Sequence, residues 1–222
     1  MVLMLKQIKS LSLLVTVAMT SIISFQASSA EQIDNKYINY QDIFNLEYAA
    51  SPQVSHDGKY VIYERRSMDI MTDSTRTNLW QVNVDGTNHQ PLLSGKANYR
   101  MPRFSPDGKR LAYLSSYEGD NQLYVRWLSS GKTARVTNLQ KSPRDISWSP
   151  DGQLIAFSMF NPGKATHIFK DMPEKPKGAK WAGKAKYIDQ MSYRSNGKGY
   201  TQAGFDHIYV VPALGGTRRQ VT

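Results

Sequence analysis

The chain has 222 residues, 28 Lys and Arg against 18 Asp and Glu, and a formal net charge of +10. Its 40% apolar and 11% aromatic content can build a core, and a mean hydropathy of −0.50 excludes a polytopic membrane protein. There is no cysteine, which excludes disulfides and thiolate chemistry and, in an exported chain, points to a bacterial periplasm or cell surface.

The first thirty residues stand apart. Lys6 and Lys9 form a basic start, Leu11 to Phe25 is mostly apolar, and Ala27-Ser28-Ser29-Ala30 offers small residues before Glu31. This pattern predicts a secretory signal peptide over 1–30. The apolar run is short and broken by Ser12, Thr16, Thr20, Ser21 and Ser24, which disfavours a permanent span. Removing it takes away two lysines and no acids, leaving +8. Residues 31–50 read as a lead-in. Asn39 and Asp42 ahead of Ile43, Phe44 and Leu46 predict a short capped helix of about two turns.

A repeat follows. Val54-Ser55-His56-Asp57-Gly58, Phe104-Ser105-Pro106-Asp107-Gly108 and Trp148-Ser149-Pro150-Asp151-Gly152 each end an apolar strand and turn the backbone, with Gly supplying positive φ. Each turn leads into an alternating apolar strand, with Val61, Leu111 or Ile155 four residues past the Asp and Tyr63, Tyr113 or Phe157 six past it. The turns are 50 and 44 residues apart, the period of propeller blades. Third strands recur at Leu79-Trp80, Leu123-Tyr124-Val125 and Ile208-Tyr209-Val210-Val211, each followed by a turn. Short fourth strands recur near Leu92-Leu93, Arg135-Val136-Thr137 and Gln220-Val221-Thr222. The expected fold is therefore all-β: a partial β-propeller over 51–222, of three four-stranded blades at about 51–95, 98–138 and 142–222.

The third blade carries a long insertion, 161–205. From turn Asp to third-strand aromatic is 17 residues in blade two and 58 in blade three. The insertion opens with Asn161-Pro162-Gly163 and holds seven lysines between Lys164 and Lys186 against Asp171 and Glu174. It also includes Trp181, and Asn196-Gly197 between aromatic stretches signals a hairpin. A solvated charged loop accounts for the lysines without a polyanion, so no nucleic acid is expected as a partner.

No G-x-S-x-G elbow, Walker loop or G-x-G-x-x-G occurs. His56, His89, His167 and His207 are isolated, without metal-binding spacing. Asp57, Asp107 and Asp151 are turn aspartates with no second acid at calcium-ligand spacing, and Glu118 and Asp120 read as solubilising loop acids. Trp80, Tyr124, Tyr209 and Trp148 could stack on a ligand, but their fixed blade positions argue for packing between blades. No catalytic, cofactor-binding or metal residue is assigned, and no cofactor is expected.

Three blades of this type behind a signal peptide resemble the N-terminal propeller of the prolyl oligopeptidase family of serine peptidases, in particular the bacterial dipeptidyl aminopeptidase and acylaminoacyl-peptidase branch. Tyr40-Gln41-Asp42-Ile43-Phe44-Asn45-Leu46 running into Ser51-Pro52-Gln53-Val54-Ser55 is similar to the family's entry into blade one. Tyr187-Ile188-Asp189 with Tyr193-Arg194-Ser195-Asn196-Gly197-Lys198-Gly199-Tyr200 is similar to that branch's interrupted third blade. Periplasmic Tol-type propellers, which bind proteins and are not enzymes, share the blade motif. The resemblance implies a larger parent in which an α/β-hydrolase domain cleaves short peptides and the propeller gates access. On that expectation this chain is a truncated part, inactive alone, because none of its residues matches the Ser, Asp and His of the triad. It further implies short peptide substrates, periplasmic or secreted localisation, no stable membrane span after signal cleavage and a possible homo-oligomer. An open arc of three blades would leave sheet edges and apolar faces without partners, so poor solubility is expected of residues 31–222 by themselves.

Overall fold

The computed structural model describes residues 37–164, 173–183, 186–197 and 199–222, so the predicted signal peptide lies outside the described residues. By its contacts the chain divides into Met1–Tyr40 and Gln41–Thr222, and every strand belongs to the second unit. The lead-in helix is a 3-10 helix, Tyr40–Asn45, and the first strand follows at once.

Blade one comprises β1 (Glu47–Val54), β2 (Tyr60–Asp69), β3 (Ser74–Asn83) and β4 (Gln90–Leu93). Blade two comprises β5 (Tyr99–Phe104), β6 (Arg110–Ser115), β7 (Gln122–Trp127) and β8 (Thr133–Arg135). Blade three begins with β9 (Pro143–Trp148) and β10 (Leu154–Pro162). The insertion holds a hairpin, β11 (Arg194–Ser195) and β12 (Gly199–Tyr200), and the blade resumes with β13 (Gly204–Pro212) and β14 (Arg219–Gln220). Each blade is an antiparallel meander in chain order, and among the described residues β11 pairs only with β12. The partial propeller of three four-stranded blades is thus the observed architecture.

The repeated turn explains its own sequence. In all three copies the Gly N–H donates to the Ser carbonyl at 2.9 Å, and Gly58, Gly108 and Gly152 sit at φ +69°, +66° and +67°. The Ser hydroxyl donates to the Asp carboxylate (2.7, 2.5 and 2.5 Å) and accepts the N–H of Tyr60, Arg110 or Leu154. The same carboxylate oxygen accepts the N–H of Lys59, Lys109 or Gln153. The Ser hydroxyl and these amides hold Asp57, Asp107 and Asp151 below the usual carboxylate range. Serine and aspartate therefore replace backbone groups in closing the turn.

Side-chain alternation sends each blade's two faces to its two neighbours. Leu111, Tyr113 and Tyr124 of blade two pack with Ile62 and Leu79 of blade one. Ala112, Leu114, Leu123 and Val125 pack with Ile155, Phe157, Tyr209 and Val211 of blade three. Paired aromatics on β6–β7 and β10–β13 stack, Tyr113 on Tyr124 at 5.7 Å and Phe157 on Tyr209 at 5.6 Å. Burial pushes the Tyr113 phenol up to about 12. Each fully buried Leu, Ile or Phe contributes about 1.5–3 kcal/mol, so the sandwiched middle blade is the stability centre.

A second periodic feature has no motif in the sequence. Six residues before each turn Asp, Ser51, Met101 and Asp145 all adopt positive φ (49°, 55° and 52°). Each marks a register shift in the blade's first strand. Pro52 and Pro102 come next, residues with no N–H to leave unpaired at a bulge.

Candidate functional surface at the insertion end

Strand direction defines two ends of the arc. The Asp-Gly turns lie at one. At the other lie the β2–β3 turn, the links before β5 and β9, the β6–β7 loop and the insertion. This insertion end is where the fold departs from a plain repeat.

The base of the insertion is tightly built. The β10–β13 ladder runs out to Pro162 opposite Gly204, so both margins of the predicted insertion 161–205 are strand. The Gly163 N–H then donates to the Ala203 carbonyl at 2.8 Å. Gly204 has φ +143°, and a Cβ there would sit 2.2 Å from the Asn161 carbonyl oxygen and 2.7 Å from the Phe160 ring, so no other residue fits. Asn161 donates to the Tyr209 hydroxyl (2.5 Å), which donates to Gln220 (3.0 Å), and Arg144 pairs with Asp206 alongside. Further out, the Asn196-Gly197 hairpin forms as the sequence indicates, with Arg194 opposite Tyr200. Lys186 Nζ lies 3.5 Å from the centre of the Tyr200 ring, and Tyr193 packs against the same ring. Tyr187, Ile188, Met191 and Trp181 are exposed, making the outer insertion an aromatic and basic surface.

At the junction of blades one and two, polar groups tie the strands together. Glu64 on β2 is 0% exposed and accepts the bulge N–H of Met101 in the next blade at 2.8 Å. Its other oxygen takes Arg66 Nε (2.8 Å) and Nη2 (2.5 Å). Asn98 accepts the Thr77 N–H at 2.8 Å, while its own N–H donates to the Ser116 hydroxyl at 3.2 Å. A hollow of about 280 Å³ opens here among Ser94, Gly95, Lys96, Ala97, Tyr99, Ser116 and Tyr117.

The residues singled out from sequence fall into place unevenly. Asp57, Asp107 and Asp151 close turns, as described. Tyr124, Tyr209 and Trp148 sit at blade junctions, and the Trp148 indole N–H donates to the Arg103 carbonyl at 3.0 Å. Trp80 does not. It is half-buried beneath the Arg65 guanidinium (4.4 Å) and beside His89 (5.0 Å), on a face of blade one that meets no other blade here. His56 sits edge-on to Phe104, His89 bonds the Tyr63 hydroxyl at 2.7 Å, and the His207 ring meets the Thr222 carbonyl at 2.9 Å. Glu118 is an exposed loop acid, as expected, and pairs with Arg135 at 2.5 Å. His167 and Lys170 lie outside the described residues. Sequence reasoning missed Glu64, whose only signal was an acid at a position where blade two has Leu114 and blade three Ser158.

Among the described residues no three His, Cys, Asp or Glu side chains gather as a metal site, and no helix is long and apolar enough to cross a membrane. What the outer insertion presents to solvent is exposed aromatics and a lysine.

Residues 70–222 match the family described as the TolB beta propeller domain. The uncharacterized peptidase YuxL of Bacillus subtilis is 28% identical over 188 residues, which is 84% of this chain and 28% of that protein. Dipeptidyl-peptidase 5 of Porphyromonas endodontalis is 34% identical over 106 residues, 47% of this chain and 15% of its own length. The Tol-Pal system protein TolB of Pseudomonas aeruginosa is 33% identical over 81 residues, 36% of this chain and 18% of its own. Among solved structures, the acylaminoacyl peptidase of Pyrococcus horikoshii superposes with a TM-score of 0.58 at 15% identity, over 81% of this chain and 26% of that one. The chain therefore spans less than a third of the length of each of these relatives and corresponds to the propeller part alone.

Proposed function

Because the chain belongs to the TolB β-propeller domain family, we propose that it is the propeller of an exported serine-type peptidase acting on short peptides. The similarity to a peptidase across 84% of this chain carries the reading. The long insertion is consistent with it, since a repeat that only had to close a ring would need no such excursion. In this reading catalysis belongs to a hydrolase domain elsewhere in the same polypeptide, and the blades restrict entry to short or unstructured chains. No residue described here acts as nucleophile or base. Export rests on the basic, apolar and small-residue pattern of the first thirty residues, which leaves no stable membrane span once cleaved.

A second reading is a protein-binding propeller of the Tol type without enzymatic activity, favoured by the similarity to TolB. A fluorophosphonate probe applied to the native polypeptide from an exported fraction separates the two. A labelled band far above 25.1 kDa is expected for the peptidase. An unlabelled band near that mass overturns it and leaves the binding propeller, completed by a second copy of the chain, in its place.

A further inference from the structure

We infer that Arg100 is a receptor for a free peptide carboxylate at the junction of blades two and three. Arg100 lies on β5 between Tyr99 and the bulge residue Met101. Its register partner is Leu114, whereas Tyr99 pairs with Ser115. Tyr99 packs into the junction with blade one and Leu114 into the junction with blade three, so Arg100 faces blade three. Its Nε is buried and has no hydrogen-bond partner. It is the one charged group among the four buried side-chain atoms left in that condition among the described residues.

A guanidinium cannot shed its proton to relieve this, so the missing acceptor is a standing cost. Arg103 and Arg110 meet this need with backbone carbonyls, and other arginines meet it with an acid. Arg66 presents Nε and Nη2 side-on to one oxygen of Glu64, and Arg76 presents the same edge to Asp69. Arg144, which occupies in blade three the place of Arg100 in blade two, pairs with Asp206. The buried Arg100 edge has no such acid, and the acceptor that fits a planar two-donor edge is a carboxylate. The side chain is only partly exposed and its Nε is enclosed, so a carboxylate meets the two-donor edge when the side chain turns outward, without opening the core. Binding of this kind requires no hydrolysis, so it stands or falls separately from the peptidase reading.

The test is a titration of the intact protein labelled with ¹⁵N at the arginine Nε. The Arg100 signal is assigned by its loss in Arg100→Lys. The probes are N-acetyl-glycyl-glycine and its C-terminal amide, which differ only in the carboxylate. A saturable shift of the Arg100 signal with the acid is expected, with the amide weaker by about tenfold or more. Arg100→Gln should lose the saturable response while melting at the same temperature as the parent or above it, since it removes an unpartnered donor. Equal response to acid and amide, or no response, overturns the proposal. So does an Arg100 Nε–H that is already protected from exchange and unmoved by the acid, because an internal acceptor then holds it.

Discussion

Glu64 should be the most costly single side chain to lose at the junction of blades one and two. Replacing it by Ala strands two groups: the Met101 N–H, fixed in a left-handed bulge, and the Arg66 guanidinium. An unsatisfied buried N–H costs about 1–3 kcal/mol. Breaking a buried pair costs about 3–5 kcal/mol where both partners are enclosed. Arg66 is 31% exposed and recovers water, which pulls the total to about 3 kcal/mol. For a domain of this size that corresponds to a fall of about 6–12 °C in Tm. The assay is chemical and thermal denaturation of the native polypeptide at neutral pH for Glu64→Ala, Glu64→Met and Arg66→Ala. Glu64→Met refills the volume without supplying an acceptor, so it separates packing from hydrogen bonding. It should remain at least about 2 kcal/mol below the parent. If Glu64→Met is as stable as the parent, the carboxylate is only a space-filler and the reasoning fails.

Three further outcomes follow from the same geometry. Gly204→Ala forces a Cβ against the Asn161 carbonyl; it should cost about 2–4 kcal/mol and free the Gly163 N–H to exchange, and unchanged protection there would contradict it. Trp148→Phe removes the bond to the Arg103 carbonyl and weakens the contact with the Arg110 guanidinium, which lies 4.9 Å above the ring, for a loss of about 1–2 kcal/mol in equilibrium unfolding. The turn aspartates have depressed folded pKa values, so their contribution is complete above the unfolded carboxylate value of about 3.9 and is lost as pH falls through the folded values. Ser105→Ala removes the largest cause of that depression at Asp107, so NMR titration should show its carboxylate moving up toward the ordinary range, and no movement would count against it.

Legibility in the sequence tracked how local each feature is. The Ser-x-Asp-Gly turns were readable because four adjacent residues close them with their own side chains. The β11–β12 hairpin was readable because Asn196-Gly197 carries its turn chemistry. Blade count followed from the period alone. The bulges at Ser51, Met101 and Asp145 were not readable, since three unlike residues adopt one positive-φ conformation. β1 begins at Glu47, ahead of the repeat's expected start at 51, because its pairing extends to Ser67, beyond any local signal. Glu64 and Arg100 were hidden for the same reason: a charged residue on an alternating strand reads as solvent-facing until its neighbour across the junction is known. Trp80 went the other way, since its column predicted a blade contact and its blade has no neighbour on that face here.

One position repeats with changing chemistry. At the first junction Tyr60 meets Phe104 edge-on at 6.1 Å. At the second the equivalent pair is Arg110 and Trp148, with Arg110 also donating to the Gly152 carbonyl at 2.9 Å. The outermost halves of the same contact, Val54 and Leu154, remain 61% and 37% exposed. The blades share a shape but not a key. A rearranged gene encoding blade three ahead of blade two would set Tyr60 against Trp148 and Leu154 against Phe104, and would strand Arg110 without its carbonyl. Shuffling, duplication or circular permutation of these modules would therefore be filtered at this one contact, which preserves the sequential identity of blades whose backbones are otherwise interchangeable.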